Sequence, residues 1–154
     1  MYGVLLLVVL LSFVREVDYL RQKCARGDVN PAVVVSVAPC LIAASANMGK
    51  RDGDVWPVIK IMPQPLGRTH GPAPKMGDRS PVVALYRNSP NLPYWGDFFP
   101  TAVACLTDNP SAIREALRRL EVNEFGPDHW ERLEQNLARV PNPAVLGLYW
   151  MRER

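Results

Sequence analysis

The pattern of apolar and polar positions divides the chain into three regions. The first is an uninterrupted apolar stretch from Val4 to Val14. In the second, residues 31–106, short runs of β-branched and small apolar residues alternate with Pro- and Gly-rich segments, which is typical of strands. In the third, residues 109–141, apolar residues recur at helical spacing. This order predicts an α+β fold: an apolar N-terminal helix over residues 1–27 and one domain over residues 28–154.

Six short strands are predicted within the second region and at the end of the chain. The pair Asp52-Gly53 between the second and third strands favours a tight turn between antiparallel neighbours. No connection is long enough for a crossover helix, so we expect antiparallel pairing throughout. We expect the strands to curl into a small barrel of five to six strands, of the SH3-like or oligonucleotide-binding type, with the last strand buried on both faces. The predicted strands are 32–38, 41–48, 55–62, 80–86, 100–106 and 145–151.

Two C-terminal helices are predicted from their start signals and their apolar stripes. Asn109 before Pro110 is a typical N-cap followed by proline at the first helical position. The second helix starts similarly near Asp128 and ends before Pro141. The stripes consist of Ile113, Ala116, Leu117 and Leu120 in the first helix and of Trp130, Leu133, Leu137 and Val140 in the second.

The apolar start has three interpretations. A cleaved signal peptide would need a basic region, which Met1–Gly3 lacks, and a cleavage site of small residues, which does not follow. A helix in a soluble core would show a polar face, which the stretch also lacks. The cytoplasmic end of a membrane helix is favoured, although fourteen helical residues span only about 21 Å of a hydrocarbon layer of about 30 Å.

Basic residues after the apolar stretch support the membrane interpretation, because such residues mark the cytoplasmic side of a membrane helix. We therefore predict that Val4–Val14 contacts membrane lipid or a membrane-protein partner, and that the folded domain lies at the cell membrane on its cytoplasmic side. The basic residues are Arg15, Arg21, Lys23 and Arg26.

Composition and charge narrow the function classes. With 48% hydrophobic and 21% charged residues, the 154-residue chain is neither disordered, collagen-like nor a simple coiled coil. Its net charge of +3 contains no long block of one sign that could serve as a nucleic-acid-binding tail. The odd number of cysteines without a Cys-x-x-Cys pair indicates reduced thiols in a reducing compartment; they are Cys24, Cys40 and Cys105.

No catalytic, cofactor or metal site is predicted. Gly-x-Ser-x-Gly, a Walker loop and a dinucleotide fingerprint are absent from the sequence. His70 stands alone in a loop. His129 begins a His-x-Glu sequence without the Pro-Cys-x-x-Cys of zinc deaminases, so it is interpreted as a neighbour of the helix cap. A less favoured hypothesis is an enzyme that uses Cys40 or His70.

Four aromatic residues within six positions suggest a partner-binding patch: Tyr94, Trp95, Phe98 and Phe99. The favoured structural alternative is a loop folded over one end of the barrel with Phe98 and Phe99 buried. With the basic middle region, the same aromatics could instead bind single-stranded nucleic acid. That hypothesis, which is not favoured, makes Trp95 and Lys60 necessary for binding.

Three stretches resemble a known group of proteins. They are RGDVNPAVV (26–34), GDRSPVVAL (77–85) and DFFP (97–100), and the closing pair of helices is similar as well. The resemblance is to an uncharacterised actinobacterial, corynebacterial-type family of membrane-linked domains of unknown function. It implies a membrane-linked domain and supplies no catalytic residues. The leading hypothesis is a non-enzymatic, membrane-tethered accessory or interaction domain that uses no cofactor and for which a protein partner is possible.

Overall fold

A computed structural model describes residues 27–67, 72–122 and 128–151 of the chain. The apolar stretch Val4–Val14, the helix predicted around it and His70 lie outside these residues. Six strands and three helices are formed within them, which confirms the α+β class. In chain order they are β1 (Asp28–Val37), β2 (Cys40–Asn47), β3 (Pro57–Pro63), β4 (Arg79–Arg87), β5 (Asp97–Ala102), α1 (Val103–Leu106), α2 (Pro110–Val122), α3 (His129–Leu137) and β6 (Gly147–Trp150).

The strands form one antiparallel sheet in the order β5-β4-β1-β2-β3-β6. Strands β1 to β3 follow one another as hairpins, and the predicted turn before β3 is present, with Gly53 at a φ of 87°. Strand β4 pairs with β1 instead of continuing from β3, and β6 adds to the free side of β3. The sheet of six antiparallel strands curls into a half-barrel, which confirms the expected barrel-like antiparallel sheet and shows that the curl is only partial.

Three predicted strands differ from the structure. The first was predicted over residues 32–38, but β1 starts at Asp28 because residues 28–31 pair with β4. The fifth was predicted over residues 100–106, but β5 starts at Asp97 because residues 97–99 continue the pairing with β4. After Ala102 the chain turns into α1, which makes a third helix in the described part of the chain. The last strand was predicted to be buried on both faces. β6 instead lies at the edge of the sheet, half-buried, because only β3 pairs with it among the described strands.

Side chains alternate between the two faces of the sheet, and each face has its own core. Ala32 and Val34 point to the concave face, where they pack with Ile42, Val58 and Phe98. The other face packs on the helices: Val33 and Ile59 contact the region of Leu133 in α3, and Val29 and Val83 contact Leu120 in α2. Alternate strand residues therefore lie on opposite faces of the sheet, and the apolar stripes of the two longer helices pack against one of these faces, as predicted.

Two side chains join the open sides of the half-barrel. Lys60 of β3 donates to the Asp97 carboxylate at 2.7 Å and to the carbonyl of Phe98 at 2.6 Å. Gln64, just after β3, donates to the carbonyl of Pro100 at 3.3 Å and accepts from the N–H of Ala102 at 3.1 Å. These backbone groups lie on the side of β5 away from β4. Side chains thus make the hydrogen bonds to the edge of β5 that a neighbouring strand would make in a closed barrel.

Candidate functional site

The four aromatic residues of the predicted patch have different environments. Phe98 is fully buried, at 0% exposure, in the concave core. Phe99 is 37% exposed, and the centroid of its ring lies 4.6 Å from the Lys60 ammonium. Tyr94 and Trp95 are half-buried and pack against the same core as Phe98. The structural alternative, a loop folded over one end of the half-barrel, thus describes Phe98 correctly and is wrong for Phe99.

Hydrogen bonds hold this loop against the end of β2. The N–H of Trp95 donates to the carbonyl of Met48 at 2.8 Å, and Tyr94 forms a β-bridge with Gly49. The Trp95 ring lies 5.9 Å from the ring of Tyr86, which in turn stacks on Phe98 at 6.0 Å. Burial raises the pKa of the Tyr86 hydroxyl, so it stays protonated at neutral pH. Trp95 and Phe98 therefore belong to the structural core of this end.

Tyr94 belongs to a second group of rings, which reaches the surface. Its ring centroid lies 4.4 Å from that of Trp56 and 4.8 Å from that of Trp150 in β6. Trp56 and Trp150 meet edge to face at 6.3 Å. Trp150 is 41% exposed, and Trp56 is half-buried. We call Trp56, Tyr94 and Trp150 the aromatic triad.

Two other exposed apolar side chains lie beyond the opposite end of β6 from Trp150. Val145 and Leu146, in the turn that leads into β6, are 49% and 56% exposed. The sequence patch found Tyr94 alone among the triad residues, because Trp56 and Trp150 are brought to it by the sheet.

Among the residues of the less favoured hypotheses, Lys60 has structural partners, Cys40 is partly buried against the concave core, and His70 lies outside the described residues. The Lys60 ammonium donates hydrogen bonds to the Asp97 carboxylate and to the carbonyl of Phe98. These bonds direct it into the protein, where it is not placed to bind a nucleic-acid phosphate. Burial, with a smaller contribution from neighbouring Cys40, raises the pKa of the Cys105 thiol. A raised pKa lowers the thiolate fraction, which is the nucleophilic form.

A cavity of about 370 Å³ lies at the same end of β3, on the opposite face of the sheet from the triad. Val55 and Pro57 line the cavity, whereas Trp56 between them belongs to the triad. The starts of β1 and β3, the end of β2, and helices α2 and α3 form its walls. Most of the wall is apolar, and the polar side chains from α3 are His129, Arg132, Gln135 and Asn136.

His129 and Asn30 are buried polar side chains in this wall, each with 6% exposure, and His129 is the one that comes from α3. It begins α3, and a hydrogen bond to the backbone of Leu120 joins it to α2. Its other ring nitrogen, Nε2, has no hydrogen-bond partner among the described residues. Burial lowers the pKa of the imidazole, and Arg132 lowers it further, while the Leu120 bond and the carboxylates of Asp128 and Glu121 raise it.

The sequence interpretation missed this site. His129 follows the N-cap Asp128, as the sequence indicated, but its burial in the cavity wall was not predicted. The spacing of His129, Arg132 and Asn136 was the available signal, since positions i, i+3 and i+7 lie on one side of a helix. Nothing in that spacing tells which strands they face, so the cavity itself depends on the tertiary structure.

Across residues 27–67, 72–122 and 128–151, no three His, Cys, Asp or Glu side chains gather as a metal-ion site would require. In the same residues, no helix is both long and apolar enough to cross a lipid bilayer.

Comparison with known proteins places the chain in a family. The model of a family described as a protein of unknown function, DUF3239, matches residues 15–141. The chain belongs to the DUF3239 family. This agrees with the resemblance to an uncharacterised family seen in the sequence. No functionally curated protein matches this DUF3239 member.

A solved structure has a fold similar to that of this DUF3239 chain. It is a crystal structure described as a "putative membrane protein" from Corynebacterium diphtheriae, 22% identical in sequence, with a TM-score of 0.60. The match covers 80% of this chain and 99% of that one. At this identity the likeness shows a shared fold.

Proposed function

We propose that this DUF3239 protein is a non-enzymatic, membrane-tethered interaction module whose folded domain lies on the cytoplasmic side and binds a partner protein. Two observations support the tether. Val4–Val14 is apolar and is followed by basic residues, and a protein of similar fold is described as a putative membrane protein. The aromatic triad supports the interaction and carries the proposal.

The triad has the properties of a protein-binding surface. Tryptophan and tyrosine are enriched among the residues that dominate binding energy, because their large rings bury much apolar area and keep a polar atom for hydrogen bonding. Trp150 is held by Trp56 and Tyr94, so little side-chain freedom would be lost when a partner covers it.

The tether is tested by fractionating cells that express the full chain. We expect the protein to sediment with membranes, to remain there in high salt and to be released by detergent. Changing Leu7→Lys should move it to the soluble fraction, because a lysine at the centre of a membrane helix costs about 2.5–3.5 kcal/mol. Met76→Lys, a charge at a 70% exposed loop position outside the proposed surface, is the control. A wild-type chain that is fully soluble without detergent would refute the tether.

The interaction is tested by photo-crosslinking in intact cells. A photoreactive amino acid replaces Trp150 in one full-length variant and Met76, which is 70% exposed in a loop, in the control. We expect a discrete cross-linked protein of constant mass from position 150 and none from position 76. The same cross-link should weaken when Tyr94→Ala removes a neighbouring ring. Equal products from both positions, or no product from position 150, would contradict the proposed surface.

A further inference from the structure

The cavity beneath α3 has the size and the wall of a small-molecule site. Its volume of about 370 Å³ falls within the range of about 300–1,000 Å³ that ligand pockets occupy. Val29, Pro31, Pro57 and Leu120 contribute apolar wall from two strands and a helix. Such a wall favours an aromatic or aliphatic body and excludes a strongly hydrated ion.

His129 adds a directional polar contact to this wall. Its bond to the Leu120 carbonyl requires the proton on the nitrogen that faces Leu120, so the neutral ring leaves Nε2 as an acceptor. His129 is only 6% exposed and lines the cavity. A buried acceptor normally receives a hydrogen bond, but no donor among the described residues reaches Nε2 of His129. A ligand that donates a hydrogen bond would do so.

Arg132 adds a charge at the cavity opening. It lies one helical turn after His129, lines the same cavity and is exposed to solvent. The strand residues that line the cavity carry no charge, so this guanidinium sets the sign of the opening. A planar guanidinium binds a carboxylate with two parallel hydrogen bonds.

We propose that this cavity binds a small amphipathic acid, with a hydroxyl or N–H that donates to Nε2 of His129, an apolar body along the wall, and a carboxylate that pairs with Arg132. The site is separate from the aromatic triad, so the proposal does not depend on the partner-binding function. It assigns the DUF3239 domain a ligand as well as a partner surface.

The first test compares three probes on the full chain in non-ionic detergent, with protein-free micelles as the blank. 3-(4-Hydroxyphenyl)propionate has the donor, the ring and the carboxylate; 3-phenylpropionate lacks the donor; 4-ethylphenol lacks the carboxylate. Saturation-transfer NMR titrations give each affinity. We expect the first probe to bind about tenfold more tightly than either of the others, the effect of one hydrogen bond or ion pair. No saturable binding of the first probe would overturn the proposal.

Matched variants assign each contact. His129→Asn keeps an amide N–H for Leu120 but has no atom at the Nε2 position, whereas the longer His129→Gln can place its amide oxygen there. We expect the preference for the hydroxylated probe to disappear in His129→Asn and to persist in His129→Gln. Arg132→Met, an exposed position, should weaken both carboxylates and leave 4-ethylphenol unchanged. An unchanged preference in His129→Asn, or unchanged carboxylate binding in Arg132→Met, would refute the assignment.

Discussion

Replacing Gln64 by methionine tests whether side chains hold the two sides of the half-barrel together. Gln64 is 7% exposed, and its amide bonds the carbonyl of Pro100 and the N–H of Ala102, both buried. Methionine has a similar length and volume, so it fills the same space without making either bond. The substitution therefore isolates the hydrogen bonds from the packing.

The expected loss follows from the two groups left unpaired. A buried backbone group without a partner costs about 1–3 kcal/mol. The bond to Pro100 is long at 3.3 Å and the bond to Ala102 is 3.1 Å, so we place both in the lower half of that range. The variant should lose about 3 kcal/mol, a large part of the roughly 5–15 kcal/mol that stabilises a typical domain.

Urea unfolding of the full chain in non-ionic detergent, followed by tryptophan fluorescence, measures this loss. We expect a lower midpoint and an unchanged denaturant dependence, because the surface exposed on unfolding stays the same. The control is Gln135→Met, since exposed Gln135 bonds Glu131 on its own helix and should change stability by less than about 0.5 kcal/mol. If Gln64→Met loses no more than this control, the side-chain closure of the half-barrel does not stabilise the fold.

Three other predictions concern charged and titratable groups. Lys60→Met should destabilise the chain by about 2 kcal/mol in the same unfolding assay, because the half-buried carboxylate of Asp97 loses its closest cation. Burial lowers the pKa of His129 in the folded state, so the unfolded chain takes up the proton first as the pH falls below about 6.5. The free energy of unfolding should therefore be lower at pH 5.5 than at pH 7.5 in the same assay. Cys105, with its raised pKa, should react with iodoacetamide at pH 7 more slowly than a thiol in a short peptide, measured in a chain whose other cysteines are serine.

Each of these predictions has a control or a contradicting result. Arg118→Met breaks an exposed ion pair within α2 and should have a much smaller effect than Lys60→Met; equal effects would contradict the role of Lys60 in closure. His129→Asn should reduce the loss of stability between pH 7.5 and 5.5, and an identical pH dependence would show that another group causes it. Labelling of Cys105 faster than the peptide thiol would contradict the expected effect of burial on this thiol.

Local features of the fold could be predicted from sequence. The alternation in β1 placed Val33 on one face and Val34 on the other, as the two cores have them. Asn109 caps α2 as predicted, its side-chain oxygen accepting the N–H of Ser111 at 2.9 Å. These features depend on residues a few positions apart, so a short window of sequence contains the interactions that form them.

The partnership of the strands and both candidate sites depended on the tertiary structure. Strand β4 pairs with β1 across a connection that starts at Gln64, and no local pattern selects that partner over β3. Trp56, Tyr94 and Trp150 meet because β6 returns to the edge of β3, and His129 faces a cavity because α3 crosses the strands there. Side-chain periodicity, caps and turns are local and were determined by the sequence directly. Strand order, edge closure and the sites were decided only by folding, since they require residues far apart in the chain to meet, and their favourable contacts must exceed the entropy lost in closing long loops.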